Sequence, residues 1–164
     1  MKNLYLIGGA MGVGKTTVSQ RLKKLLPRAV FLDGDWCWDA DPFQVTEETK
    51  NMVMDNICHV LSNFLRCSAY ENVVFCWVMD RQEILDTLLD RLDTTNYTVK
   101  CISLTADRET LIWRIGGDVE RGLRQPDVLE RSLARLPLYE RLDSVKVDTT
   151  GRTVDEIARE IMEM

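Results

Sequence analysis

The sequence predicts an α/β fold in which a five-stranded parallel sheet lies between two layers of helices. Along the 164 residues, short apolar runs rich in Val, Ile, Phe and Tyr alternate with longer segments in which apolar residues recur at helical spacing. This alternation is typical of βαβ units, whose right-handed crossovers place helices on both faces of a parallel sheet. Without internal repeats or a long linker, the chain is expected to form one domain over residues 1–164.

Each element has a local reason in the sequence. We expect five strands, at Asn3–Ile7, Ala29–Leu32, Asn72–Val78, Tyr97–Leu104 and Ser144–Val147. We expect six helices, near residues 15–26, 46–69, 81–92, 107–115, 127–142 and 153–163.

Helix boundaries are indicated by prolines and by capping patterns. Pro27 ends the first helix, whose apolar residues follow helical spacing. Three later helices begin with the signature of a capping box, in which a Glu follows a Thr or Asp at the third position. The three pairs are Asp80 with Glu83, Asp127 with Glu130, and Thr153 with Glu156.

A glycine-rich motif joins the first strand to the first helix. Residues 9–16 read G-A-M-G-V-G-K-T, a full G-x-x-x-x-G-K-T pattern. The glycines let the backbone curl around a phosphate with its N–H groups inward, Lys15 neutralises charge, and the Thr16 hydroxyl can bind Mg²⁺. The helix N-terminus favours the same anion. The predicted phosphate site comprises Gly9, Ala10, Met11, Gly12, Val13, Gly14, Lys15, Thr16 and Thr17.

Two acids follow the second strand, in Leu32-Asp33-Gly34-Asp35. The carboxyl ends of the strands in an open α/β sheet are where ligands bind. Phosphoryl transfer needs a residue that positions the attacking hydroxyl and accepts its proton, so we assign Asp35 as the base and Asp33 to the metal shell. The alternative is an Asp-Gly turn whose side chains cap their own backbone.

A further acid, Asp80, follows the third strand. It could hold a water molecule of the Mg²⁺ shell, or it could cap the helix that contains Glu83. The sequence does not decide between these two roles.

Through residues 4–17 and 31–36, the chain resembles the small-molecule and nucleotide kinases among the P-loop proteins. This group includes adenylyl-sulfate kinase, gluconate kinase, shikimate kinase, chloramphenicol phosphotransferase and the adenylate-kinase-like folds. The resemblance implies a sheet of strand order 2-3-1-4-5, ATP as the phosphoryl donor, and contact between Asp35 and the acceptor.

The resemblance also implies a lid at about residues 116–126, in a segment whose glycines allow a hinge. In similar kinases the arginine that matches Arg114 stacks on adenine, and the later lid arginines, here Arg121 and Arg124, reach the phosphates. Backbone contacts to adenine are implied for Thr150, Gly151 and Arg152. The alternative for the arginines is a solvated helix face with pairing to Glu120 and Glu130.

Composition limits the partners. The formal net charge of −5 disfavours nucleic-acid binding, and no run of apolar residues is long enough for a signal peptide or a membrane span. We therefore expect a cytoplasmic protein, a monomer or homodimer, with a small-molecule acceptor bound by residues 36–70. Trp36 and Trp38 could stack on that acceptor or fold onto the domain, and the nearby acids favour a neutral or cationic hydroxyl compound.

The leading hypothesis is an ATP- and Mg²⁺-dependent kinase that transfers the γ-phosphoryl group to a small-molecule hydroxyl or to a nucleotide. The alternative is a P-loop NTPase or a nucleotide-dependent switch without an acceptor. The chain lacks the N-K-x-D motif and a D-x-x-G after the second strand, which disfavours a GTPase, and it has no room for the second domain of AAA-type machines. A nucleic-acid 5′-hydroxyl kinase and a protein that binds ATP without turnover remain as further readings, and the sequence does not identify the acceptor.

Overall fold

Strands and helices alternate along most of the chain, as the apolar pattern predicts. The computed structural model describes residues 2–164. The strands are β1 Lys2–Gly9, β2 Ala29–Asp33, β3 Asn72–Cys76, β4 Tyr97–Thr105 and β5 Val145–Asp148. The helices are α1 Lys15–Leu25, α2 Glu47–Arg66, α3 Gln82–Arg91, α4 Arg108–Glu120, α5 Val128–Glu140 and α6 Val154–Glu163, and a short 3₁₀ helix spans Gly34–Cys37.

All strand pairs in the sheet are parallel, in the order β2-β3-β1-β4-β5. The strand order implied by the resemblance is therefore confirmed. Leu4 of the central strand β1 lies between Val73 of β3 and Val99 of β4. Because the strands are parallel, the ends of β1, β2 and β3 at Gly9, Asp33 and Cys76 meet at one edge of the sheet.

The core is divided between the two faces of the sheet, because successive side chains of a strand point to opposite sides. Tyr5 and Ile7 of β1 pack with buried residues of α1 and α6, among them Leu22 and Ile161. Residues from α2 and α3 cover the opposite face, where they pack with Leu4 and Leu6. The predicted three layers are present.

Two of the three predicted capping boxes are wrong. Thr153 caps α6 with the reciprocal bonds to Glu156 that the pattern predicts. Helix α3, however, has Arg81 at its N-cap position and no side-chain cap. The Asp80 carboxylate is ion-paired with Arg135 of α5 at 3.3 Å instead. Asp127 does stand at the N-cap of α5, but its side chain pairs with Arg131 at 3.1 Å instead of the backbone.

The largest differences in boundaries lie at β3 and α4. Strand β3 ends at Cys76 instead of Val78, because Trp77 turns away to pack against Gly34. Helix α4 continues past Gly116 and Gly117 to Glu120, since an internal glycine costs a helix only about 1 kcal/mol. Among residues 2–164, no helix combines the length and the apolar character needed to cross a bilayer.

Candidate functional site

The glycine-rich loop leaves the end of β1 and delivers Lys15 and Thr16 to the first turn of α1. The Lys15 ammonium donates a hydrogen bond to the carbonyl of Ala10, at 3.0 Å, so its side chain folds back over the loop. Burial lowers the pKa of Lys15 to about 8, and the neighbouring carboxylates of Asp35 and Asp33 act in the opposite direction. The Lys15 ammonium is therefore held against the backbone of the loop that precedes it.

The tip of this loop packs directly against α4. Gly12 has a φ of 85°, and a Cβ at this position would lie 2.7 Å from Cγ1 of Ile115. Any other residue would be strained here and would also push α4 away. The second glycine of the loop thus has a packing role as well as a conformational one.

Two side chains hold the loop by its carbonyl groups. The hydroxyl of Ser132 on α5 donates to the Met11 carbonyl at 2.6 Å. The guanidinium of Arg114 on α4 donates to the Val13 carbonyl at 3.3 Å. Sequence reasoning missed Ser132, because a serine in an amphipathic helix gives no signal when its partner lies 121 residues away.

Asp33 links the phosphate loop to the strand beside it. One of its carboxylate oxygens accepts a hydrogen bond from the Thr16 hydroxyl at 2.7 Å. The other accepts from the Asp35 backbone N–H at 3.0 Å, so Asp33 is also the N-cap of the 3₁₀ helix. The capping alternative for the Asp-Gly-Asp sequence is therefore observed at Asp33, while the metal role of this residue stays a prediction.

The glycine between the two acids is required by packing. A Cβ on Gly34 would lie 2.4 Å from the Trp77 indole, which covers the turn from the end of β3. This contact fixes the turn and leaves the Asp35 side chain exposed, although its carboxylate is still partly desolvated. Burial raises the pKa of Asp35, and the negative charge of Asp33 adds to the effect. Such a shift suits a carboxylate that must accept a proton near neutral pH.

The predicted metal ligands are only partly brought together. Thr16 and Asp33 offer adjacent oxygen atoms, the donor type that Mg²⁺ prefers, and the ion commonly binds one or two carboxylates together with phosphates and water. Asp80 is instead engaged with Arg135. Within residues 2–164 there is no group of three His, Cys, Asp or Glu side chains that could hold a metal alone. The donor set fits a Mg²⁺ ion shared with nucleotide phosphates.

The two arginines of the predicted lid share one partner. Arg121 contacts one carboxylate oxygen of Asp118 at 2.7 Å, and Arg124 contacts the other at 2.9 Å. The alternative pairing with Glu120 and Glu130 is therefore wrong. Arg124 is also near enough to Lys15 and Asp35 for its charge to affect the pKa of both. Of the two arginines, Arg124 is the one whose charge acts on Lys15 and Asp35.

Arg114 joins the phosphate loop to the segment after β5. Besides the Val13 carbonyl, its guanidinium contacts the hydroxyl and the carbonyl of Thr149, at 3.1 and 3.2 Å. Of the predicted adenine loop, Thr150 accepts a bond from the Asp107 N–H, and Arg152 is ion-paired with Glu160 at 2.5 Å. These contacts place Thr150 at the start of α4, whereas Arg152 pairs with a residue of α6.

A cavity of about 380 Å³ opens in the predicted acceptor region, among residues that follow the two acids in the chain. Its lining includes Cys37, Trp38, Asp39, Gln44 and Met52. The Trp38 ring packs on Phe43 with centroids 4.2 Å apart, whereas Trp36 stays 61% exposed and meets Phe31 edge-on. Both tryptophans thus contact the domain, and Trp38 also presents surface to the cavity.

Comparison with known proteins gives a family match over most of the chain. A family model described as an AAA domain matches residues 6–132, a range that includes the phosphate loop, both acids and Ser132. A shikimate kinase of Francisella philomiragia is 29% identical over 177 aligned residues, covering 98% of this chain and 92% of that protein.

Solved structures of similar architecture cover nearly the whole chain. A gluconokinase from Sinorhizobium meliloti superposes with a TM-score of 0.72 at 19% identity and covers 98% of this chain and 90% of its own. The tunicamycin resistance protein of Deinococcus radiodurans gives a TM-score of 0.73, also at 19% identity, with 99% and 95% covered. At these identities the superpositions establish a shared fold.

Proposed function

The chain belongs to the AAA-domain family, and we propose that it is an ATP-dependent kinase that phosphorylates a small molecule. The observation that carries the proposal is the position of Asp35, a carboxylate of raised pKa whose charge acts on Lys15 of the phosphate loop. The residues that follow Asp35 in the chain line an open cavity, which a protein that only hydrolyses nucleotide would not need. The full-length similarity to a shikimate kinase supports the same class of reaction.

The phosphate loop and Lys15 would bind the nucleotide phosphates. Backbone N–H groups at the start of α1 and the Lys15 ammonium supply positive charge, and Thr16 with Asp33 would hold Mg²⁺. When bound, that ion neutralises the charge on the β- and γ-phosphates. The Lys15 ammonium has three N–H donors, of which one bonds to the Ala10 carbonyl, so the others can reach phosphate oxygens.

Asp35 would act as the base. Its exposed carboxylate can accept the proton of an acceptor hydroxyl that enters from the neighbouring cavity. Asp33 is unsuited to this role, because both of its oxygens already accept hydrogen bonds within the protein. The two acids would thus divide positioning and proton transfer between them.

Charge around the cavity favours an acceptor without negative charge. Residues 33–49 contain six acids and no Lys or Arg: Asp33, Asp35, Asp39, Asp41, Glu47 and Glu48. Lys50, the next cation, is already paired with Glu47 at 2.8 Å. An anionic acceptor would be repelled, whereas a neutral or amine-bearing hydroxyl compound with an apolar face could pack on Trp38.

The test measures product formation as well as ADP release. Purified protein is incubated with MgATP and pooled nucleosides, nucleotides, sugars, shikimate and hydroxylated amines, and phosphorylated products are detected by mass spectrometry. We expect one uncharged or cationic pool to give product, and we expect Asp35→Asn to lower that rate at least about 100-fold with nearly unchanged MgATP affinity. Asp90→Asn, an exposed acid on α3, is the matched control.

Two outcomes would contradict the proposal. Steady ADP release that no pool changes would favour the hydrolase alternative. Equal loss of MgATP affinity and of transfer in Asp35→Asn would remove Asp35 from the role of base and assign it to nucleotide binding.

A further inference from the structure

The buried face of α5 carries a hydroxyl whose partner is the phosphate loop. Ser132 is 2% exposed and lies on the same face as the buried Val128 and Tyr139. A buried hydroxyl is costly unless it is hydrogen-bonded, and this one donates to the Met11 carbonyl at 2.6 Å. The only side-chain bond from α5 to the glycine-rich loop, within residues 2–164, is therefore made by a residue that the motif does not contain.

Peptide geometry gives this bond a consequence for the nucleotide. The Met11 carbonyl and the Gly12 N–H belong to one planar trans peptide, in which the two groups point in opposite directions. Holding the carbonyl toward α5 therefore turns the Gly12 N–H away from α5. A rotated peptide would present the carbonyl oxygen to a phosphate, and the two groups would repel each other.

The orientation of this peptide has to be fixed by a group outside the loop, because Met11 and Gly12 themselves restrain it weakly. Gly12 has no side chain, and a glycine can adopt many backbone conformations besides the φ of 85° found here. Packing of Ile115 on Gly12 limits the space on one side but provides no hydrogen bond. Ser132 is the group that distinguishes one orientation of the peptide from the other.

We propose that Ser132 is a positioning residue that locks the Met11–Gly12 peptide with its N–H facing the nucleotide phosphates. The inference rests on the nucleotide binding of the proposed function, and it involves no acceptor. Ser132 itself touches no substrate, so removing its hydroxyl should weaken phosphate binding through the loop and leave the fold in place.

The experiment compares Ser132→Ala with the wild type by MgATP and MgADP titration and by NMR of the Gly12 amide. We expect both nucleotides to bind about fivefold to tenfold more weakly, as the loss of one hydrogen bond would allow. We also expect a smaller shift of the Gly12 amide resonance on MgADP binding. Ser132→Thr retains the hydroxyl and should restore both readouts.

A matched control separates positioning from general destabilisation. Ser103→Ala removes another buried hydroxyl, which lies on β4 and contacts Ser144 at 2.7 Å. Because this hydroxyl does not contact the glycine-rich loop, its removal should leave nucleotide affinity unchanged. If Ser132→Ala does not fold, Ser132→Cys keeps the side-chain volume with a weaker donor and should show the same losses.

The inference is overturned if the variant that folds binds MgATP within about twofold of the wild type, or if its Gly12 amide responds to MgADP as the wild type does. Failure of the proposed function would look different. In that case the wild type would bind MgATP but phosphorylate no acceptor, while the Ser132 titrations would keep their expected result.

Discussion

Asp33 and Asp35 are separated by one glycine, yet the fold gives them different surroundings. Asp33 is 5% exposed, and both of its oxygens accept hydrogen bonds, one from Thr16 and one from the Asp35 N–H. Asp35 is exposed as a residue, but its carboxylate is partly desolvated, and this desolvation together with the charge of Asp33 raises its pKa. Two residues of one type can therefore serve as an internal support and as a reactive group.

Lys15 leads to a prediction about stability and pH. Its pKa in the folded protein is about 8, below the ordinary value of 10.5, so the unfolded chain keeps its proton through the pH window between these values. Stability rises with pH wherever the unfolded state binds more protons. The wild type should therefore gain stability relative to Lys15→Met from pH 8 to pH 10, by at most about 3 kcal/mol.

Urea unfolding of both proteins at pH 7 and near pH 10 checks this expectation. Lys24→Met, an exposed lysine of the same helix, is the control for the loss of a positive charge. A stability difference between wild type and Lys15→Met that stays constant with pH would show that Lys15 keeps its proton throughout.

Among the helices, α4 and α5 do more than cover the sheet. Ile115 and Arg114 of α4 and Ser132 of α5 all contact the phosphate loop, while Asp118 of α4 holds the two arginines that follow. The segment between these helices is therefore tied to the loop at both of its ends. Movement of this segment would be transmitted to the phosphate loop through these contacts.

The two arginines should differ in importance. Both contact Asp118, but Arg124 is near enough to influence the pKa of both Lys15 and Asp35, whereas Arg121 is mostly exposed. We expect Arg124→Ala to lower kcat at least about 100-fold, because an arginine that neutralises transition-state charge contributes strongly to phosphoryl transfer. Arg121→Ala should lower it less than about fivefold. Steady-state kinetics measures kcat for both variants. A larger loss of kcat in Arg121→Ala than in Arg124→Ala would assign the charge-neutralising role to Arg121.

Local sequence patterns predicted the elements better than their ends. The strands and the phosphate loop follow from apolar runs and from a motif whose residues are contiguous, whereas the strand order is implied by the resemblance to P-loop kinases. The cap at Asp80 failed because an ion pair with Arg135, more than fifty residues away, offered this carboxylate another partner. Ser132 and Trp77 depend in the same way on contacts between elements that are distant in the chain, which no local pattern encodes.

At the scale of the whole molecule, the parallel sheet gathers the candidate site at one edge. Ligand binding at this edge should stabilise the entire fold, since β1, α1 and β2 all contribute to it. At a MgATP concentration of about 100 times Kd, the expected gain is about 3 kcal/mol, or roughly 5–10 °C in Tm for a chain of this size.

Thermal unfolding with and without MgATP measures this shift. Lys15→Ala should show a small fraction of it, because the phosphates lose their charged partner, and Lys24→Ala should behave like the wild type. An undiminished shift in Lys15→Ala would mean that the nucleotide binds elsewhere.

The same sheet leaves its opposite edge unused by the chemistry. Strand β4 runs for nine residues from Tyr97, so the exposed turn at residues 93–96 lies about 30 Å from the edge that carries the phosphate loop. A biotin or fluorophore attached at Asn96 would therefore sit far from nucleotide and acceptor alike. Protein immobilised through this turn would present its cleft to the bulk solution, which makes it a suitable attachment point for surface-based screening of acceptor libraries.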